Sequence, residues 1–177
     1  NHTEEVLCLI KLVNAPRHSL PNTNNRGAQY TAASGSRDCS IGLWESKANC
    51  LKKLEGHSEP VSTIIQLSQN YIASMDVGGV VLIWNLSNGK SYSCEGLRDP
   101  EKDRLHHIEK IDEKSFAGVY NEFLRVWNLQ GEIIHSVYHQ IKSSGEKDFR
   151  MLCIKESKFK DCKGKGGGCE GGCCCIF

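Results

Sequence analysis

The chain has 177 residues, 39% of them hydrophobic, which is enough for one domain with a true core. Lysine and arginine number 22 against 21 acidic residues, so a net charge of +1 gives no overall field for gripping nucleic acid or a charged surface. No run of 18 apolar residues occurs, and no 3.6-residue apolar period lasts long enough for a convincing helix.

The opening NHTEEVLCLIKL lacks the basic, apolar and small-residue segments of a secretion signal. Because it begins with Asn1 and not Met, a natural start is expected upstream. Residues 5–12 read as a first strand, followed by the insertion NAPRHSLPNTNNRG (14–27), a Pro- and Asn-rich loop that is either a partner site or decoration. Strands are expected over 29–35, 40–44 and 49–54, folded around the turn SGSRD in YTAASGSRDCSIGLWE (30–45).

The pattern then repeats. YIASMDVGGVVLIWNL (71–86) lies within expected strands 61–66, 71–75, 79–85 and 90–94, with turns DVGG and LSNGK. The charged segment EGLRDPEKDRL (95–105) reads as a solvated connection and is the most distinctive loop of the chain. SFAGVYNEFLRVWNL (115–129) carries the third copy, with strands over 105–111, 115–120, 123–128 and 132–138 and the turn NLQGE. His106 and His107 are adjacent, so a strand points them to opposite faces and they cannot share a metal. Trp44 and Trp84 stand 40 residues apart and Trp84 and Trp127 43 apart. A strand-only period of that length predicts four-stranded sheets repeated around an axis.

Beyond the third copy, FRMLCIKESKFKDC (149–162) is expected to give the first strand and part of the second of a fourth unit. The terminal CEGGCCCIF has two readings. Cys174 could open a C-a-a-X prenylation box, with Lys155, Lys158, Lys160, Lys163 and Lys165 aiding membrane attachment. Alternatively, Gly78-Gly79-Val80-Val81-Leu82-Ile83-Trp84 shifted by 93 residues lands on Gly171-Gly172-Cys173-Cys174-Cys175-Ile176-Phe177, position for position. That register favours a third strand whose fourth strand is missing, with the chain cut inside a repeat.

Of the ten cysteines, Cys8, Cys39, Cys50, Cys94 and Cys153 are scattered, with Cys8 and Cys153 in apolar runs, as free buried thiols are. This suits a reducing compartment, the cytoplasm or alternatively the nucleus. Cys162, Cys169 and Cys173 lack paired C-x-x-C spacing and a nearby His, so no metal is expected. Gly166, Gly168 and Gly171 match G-x-G-x-x-G, yet no apolar strand precedes them and no helix follows, so no nucleotide cofactor is expected. The sequons at Asn1 and Asn85 would be incidental in an intracellular protein.

The stretch CLKKLEGHSEPVSTIIQLSQNYIASMDVGGVVLIWNL (50–86) resembles the WD-repeat β-propeller family, with Gly56-His57 ahead of the first strand and Trp84-Asn85 closing the third. Asn stands where the family usually has Asp. An earlier unit opens at Asn1-His2, with Val6 four residues after His2 as Val61 is after His57. The resemblance implies an all-β partial propeller of four-stranded antiparallel blades: blade one 1–55, blade two 56–95, blade three 96–140 and an incomplete blade four 145–177. Family propellers commonly have seven blades, so the missing blades are expected from the parent chain.

The resemblance also implies a hydrogen-bonded tetrad at His2, Ser34, Asp38 and Trp44. In the second unit it implies His57, Ser74 and Trp84 with Gly78 in the acidic position, and in the third Ala117, Asn121 and Trp127 without a Gly-His pair. Ser, His and Asp together suggest a nucleophilic triad, but a network satisfying buried polar groups is the better reading, since no oxyanion site accompanies it. No catalytic residue is therefore expected. Partner contacts carried over from the family fall on Arg37, Glu59, Val77, Arg98, Asp99, Lys102, Asp103, Arg104 and Glu122. The expected function is a noncatalytic scaffold or adaptor, a fragment of a larger WD-repeat protein that binds protein partners through loops, without nucleic acid and away from membranes. Two alternatives stand beside it: a substrate-recognition part of a multidomain enzyme such as a kinase or ubiquitin ligase, and a peripheral membrane protein prenylated at Cys174.

Overall fold

The computed structural model describes residues 2–17, 27–94, 105–120, 123–141 and 147–152. In the first sheet β1 (Val6–Lys11), β2 (Ala32–Ser36), β3 (Ser40–Trp44) and β4 (Cys50–Glu55) pair antiparallel in chain order. The second repeats this with β5 (Val61–Gln66), β6 (Tyr71–Asp76), β7 (Val81–Asn85) and β8 (Ser91–Ser93). The third contains β9 (Leu105–Lys110), β10 (Ser115–Tyr120), β11 (Phe123–Asn128), β12 (Ile133–Ile141) and β13 (Lys147–Leu152).

Local chemistry sets the reversals. Between β6 and β7 the chain turns through Gly79 at φ +83°, a left-handed conformation that costs glycine nothing. The matching residue between β2 and β3 is Cys39, which takes φ +62° with a side chain attached. After β7 the Asn85 Oδ1 accepts the Ser87 amide at 2.9 Å, and after β11 the Asn128 Oδ1 accepts the Gln130 amide at 2.9 Å. The Asn that replaces the family's Asp therefore closes a hairpin turn, work a carboxylate oxygen could equally do.

Register makes the three sheets copies. Trp44 pairs with Ala32, Trp84 with Ile72 and Trp127 with Phe116. Counting from those pairs, Ala33, Ala73 and Ala117 are equivalent, and so are Ser34, Ser74 and Gly118. Side chains alternate between faces, so the small or aliphatic face of one sheet packs on the tryptophan face of the next. Ala33, Ile41, Leu43 and Leu54 meet Val61, Ile64, Leu82 and Trp84 in one core, while Ala73, Met75, Val81 and Ile83 meet Ile108, Phe116 and Trp127 in the other. The innermost β5 lies between β1 and β9, and the sheets form an unclosed arc.

The fourth-unit expectation meets a different pairing. β13, which contains the start of 149–162, runs antiparallel to β12 as a fifth strand on the outer edge of the third sheet, with Ser136 opposite Leu152 and Ile141 opposite Lys147. Apolar alternation announces a strand without saying which edge it will join, and the free edge of β12 is the nearest in sequence. Residues 153–177 lie outside the described residues, and with them the terminal hairpin, Cys174, the clustered cysteines and the G-x-G-x-x-G match. Most of the 14–27 insertion and residues 95–104 lie outside as well.

Candidate functional site

Two features could carry function: the polar tetrads between strands and the loops on the rim. In the first sheet the Trp44 indole N–H donates to the Ser34 hydroxyl at 2.7 Å. The same oxygen lies 2.8 Å from His2 Nε2, and His2 Nδ1 lies 3.1 Å from Asp38 Oδ1. An indole can only donate, so the serine oxygen accepts from it and the serine proton points to Nε2. Nδ1 then gives its proton to the carboxylate.

Asp38 is the most heavily bonded member of the set. Burial alone would push its carboxyl up, but hydrogen bonds from the Ser40 hydroxyl, the Thr3 amide, the Lys53 ammonium and His2 hold it well below the usual carboxylate range. Lys53 Nζ stands 3.2 Å from Oδ2, so this tetrad has a cation on its open side.

In the second sheet Trp84 donates to Ser74 at 2.7 Å, and Ser74 lies 2.7 Å from His57 Nε2. The acid is Asp76, with Oδ2 2.9 Å from His57 Nδ1 and Oδ1 accepting the Val80 amide at 2.9 Å. Gly78, equivalent by count to Asp38, takes no part. The carboxylate comes from the end of β6, two residues earlier, and still reaches the imidazole. The signal for it was a lone acid closing the run YIASMD, two residues after Ser74 and so on the same face.

In the third sheet the described residues at the serine and acid positions are different. Gly118, not Ala117, stands where Ser34 and Ser74 stand, because Phe116 opposite Trp127 fixes the register. A Cβ on Gly118 would come within 2.6 Å of the Trp127 ring and 2.8 Å of Leu105, so the indole has closed over the vacated hydroxyl site. Tyr120 replaces the acid. It stacks on Phe123 at 4.3 Å between centroids, and the buried Arg125 guanidinium lies 4.7 Å from the Phe123 centroid and 5.3 Å from that of Tyr120. Asn121 and Glu122 lie outside the described residues.

These arrangements offer little to a substrate. Ser34, Ser74 and Asp76 are buried, and each serine oxygen is already engaged by an indole and an imidazole. Burial pushes the Cys94 thiol up to about 12 and the Cys8 thiol in the same direction, which leaves both as unreactive thiols at neutral pH. Among the described residues no three His, Cys, Asp or Glu side chains gather as a metal site.

On the rim, the structure brings together two of the loop residues carried over from the family, Val77 and Glu59, and places a third, Arg37, in the equivalent turn of the first sheet. The Val77 amide donates to the Pro60 carbonyl at 2.9 Å, which brings the β6–β7 turn against the loop holding Glu59. Arg37, in the β2–β3 turn, pairs with Glu5 at 3.3 Å. Val77 is exposed, and so are Arg37 and Glu59. Arg98, Asp99, Lys102, Asp103 and Arg104 lie outside the described residues. The opposite rim has a groove of 460 Å³ where β1, β5 and β9 end, lined by Val13, Asn14, Gln66, Ser68, Gln69, Lys110 and Glu113.

No family model matches the sequence, and no curated protein matches it significantly. Solved structures do match. The WD40 repeats of RRP9 align with a TM-score of 0.60 at 15% identity, over 86% of this chain and 43% of that one. The computationally designed Ika8 protein aligns at 0.57 and 18% identity, also over 86% and 43%. The computationally designed Ika4 protein aligns at 0.56 and 17% identity, over 90% of this chain and 91% of that one. The chain thus spans less than half the length of the RRP9 and Ika8 structures. Three antiparallel sheets with repeated register, inner strands side by side and this likeness together make the fold an unclosed β-propeller of the WD40 kind.

Proposed function

We propose that the chain is a noncatalytic protein-interaction module that presents partners with the rim carrying Arg37, Glu59 and Val77. The observation that carries this reading is that both Ser–His–Asp sets among the described residues have their serine engaged by an indole and an imidazole, which leaves the loops as the chemistry open to other molecules. Val77 supplies an exposed apolar contact beside charges of both signs, a mixture suited to a protein surface. Unpaired thiols at Cys8, Cys39, Cys50 and Cys94 support a reducing, intracellular setting.

The test compares the chain with Val77→Asp and Arg37→Glu variants in quantitative capture from cell extract, with circular dichroism to verify folding. Partners retained by the wild type and lost by both variants support the rim. Equal capture by all three points away from it. A fluorophosphonate probe completes the test, because covalent labelling of Ser34 or Ser74 would replace the module reading with an enzymatic one.

A further inference from the structure

Each sheet brings an equivalent residue to the end of its innermost strand, and that residue is used differently from one step of the arc to the next. Lys11 lies opposite Ala32, the partner of Trp44. Gln66 lies opposite Ile72, the partner of Trp84, and Lys110 opposite Phe116, the partner of Trp127. Between the first and second sheets the carboxamide of Gln66 forms a two-way clip. Its Oε1 accepts the Val13 amide at 2.8 Å and its Nε2 donates to the Val13 carbonyl at 2.8 Å, so a side chain pairs with backbone as a neighbouring strand would.

Between the second and third sheets the same clip does not form. Ser68 follows Gln66 by two residues, as Val13 follows Lys11. Its amide is taken by the Tyr71 carbonyl at 3.1 Å and its carbonyl by Gln66 Nε2 at 3.0 Å. Lys110, in the place of Gln66, brings donors without an acceptor and pairs with Glu113 Oε1 at 2.7 Å. The 460 Å³ groove lies at this step, with Val13, Ser68, Gln69, Lys110 and Glu113 in its lining.

From this contrast we infer that the groove receives the glutamine side chain of an extended segment from a protein partner, the same group that the fold itself supplies one step earlier. The ligand C=O accepts from the Lys110 ammonium, which has two further donors, and its NH₂ donates to the Glu113 carboxylate. An exposed ion pair contributes little, so it opens readily to admit the amide. An acidic side chain would meet Glu113 and a basic one Lys110, which selects a neutral amide. Val13, 58% exposed, offers an apolar contact to the residue beside it. A volume of 460 Å³ exceeds what one side chain fills and falls in the range of ligand sites, so the occupant is a segment and not a free amino acid. This rim lies opposite Arg37, Glu59 and Val77, and the two readings stand or fall separately.

Titration of the full chain with capped tripeptides, followed by backbone amide NMR shifts, tests this. Acetyl-Val-Gln-Val-amide should give saturable shifts at Val13, Ser68 and Lys110. The tripeptides with Leu or Glu at the centre, and free glutamine, should each bind at least about tenfold more weakly. Lys110→Met and Glu113→Ala change surface side chains, should leave circular dichroism unchanged, and should weaken the Gln tripeptide by a similar factor. The proposal is overturned by no saturable shift, by shifts confined to other surfaces, by a Leu or Glu tripeptide or free glutamine that binds as tightly, or by variants that bind like the wild type.

Discussion

The second and third sheets solve the same packing problem with different chemistry. Beneath Trp84 lies a chain of polar contacts, Ser74 to His57 to Asp76, each at 2.7 to 2.9 Å. Beneath Trp127 lies no side chain at the serine position: the ring closes over Gly118, stacks on Phe116 at 5.3 Å, and leaves Arg125 to the faces of Tyr120 and Phe123. A polar chain is stringent, because losing one member strands the others without solvent. An aromatic cluster tolerates small shifts but reads volume closely. The repeat conserves the outline of its core while exchanging direction-dependent bonds for shape.

The largest effect should come from breaking the polar side. Asp76→Ala removes the acceptor of both His57 and the Val80 amide and should cost about 3 kcal/mol in urea unfolding. A loss under about 1 kcal/mol would mean that the two sheets are equally forgiving. Next, Gly118→Ser asks whether the third sheet can be given back its hydroxyl. The clash with Trp127 and Leu105 should instead destabilise it by about 2 kcal/mol, with a change in tryptophan fluorescence. A neutral result would show that the indole can swing back to donate a hydrogen bond.

The smallest effect sharpens the contrast between the two polar sets. Asp38 has a folded-state pKa below its unfolded value of about 3.9. Its ionised form therefore contributes stability that is intact above about pH 4 and lost as pH falls toward the folded value. Asp38→Asn should lower the urea midpoint modestly at pH 7 and flatten its further fall between about pH 4 and pH 2. An unchanged acid limb would mean that Asp38 does not govern it.

Much of this was legible in the sequence, and what was not has identifiable causes. The spacing of Trp44, Trp84 and Trp127 and the alternating runs before them exposed the repeat, because a strand that buries one face must write that face into every second residue. Asp76 escaped because counting from Asp38 assumes equal turns, whereas a carboxylate at the strand end reaches the same imidazole. Ala117 was placed one residue from the true equivalent, Gly118, since small residues look alike in sequence and cross-strand pairing is what separates them. For β13 the strand character was written in the sequence but its neighbour was not, because an edge is chosen by what is free to pair.

That fifth strand bears on how the protein avoids sticking to itself in the wrong way. An outermost strand leaves a row of backbone donors and acceptors that can template amyloid growth, and the hazard rises with length. The outer strand of the second sheet is only three residues long, Ser91–Ser93, and that of the first carries Lys52 and Lys53, so each is a poor template. The nine-residue β12 would be a good one, and it is the one β13 covers. Pairing with β13 thus moves the open edge of the third sheet from the nine-residue β12 to the six-residue Lys147–Leu152.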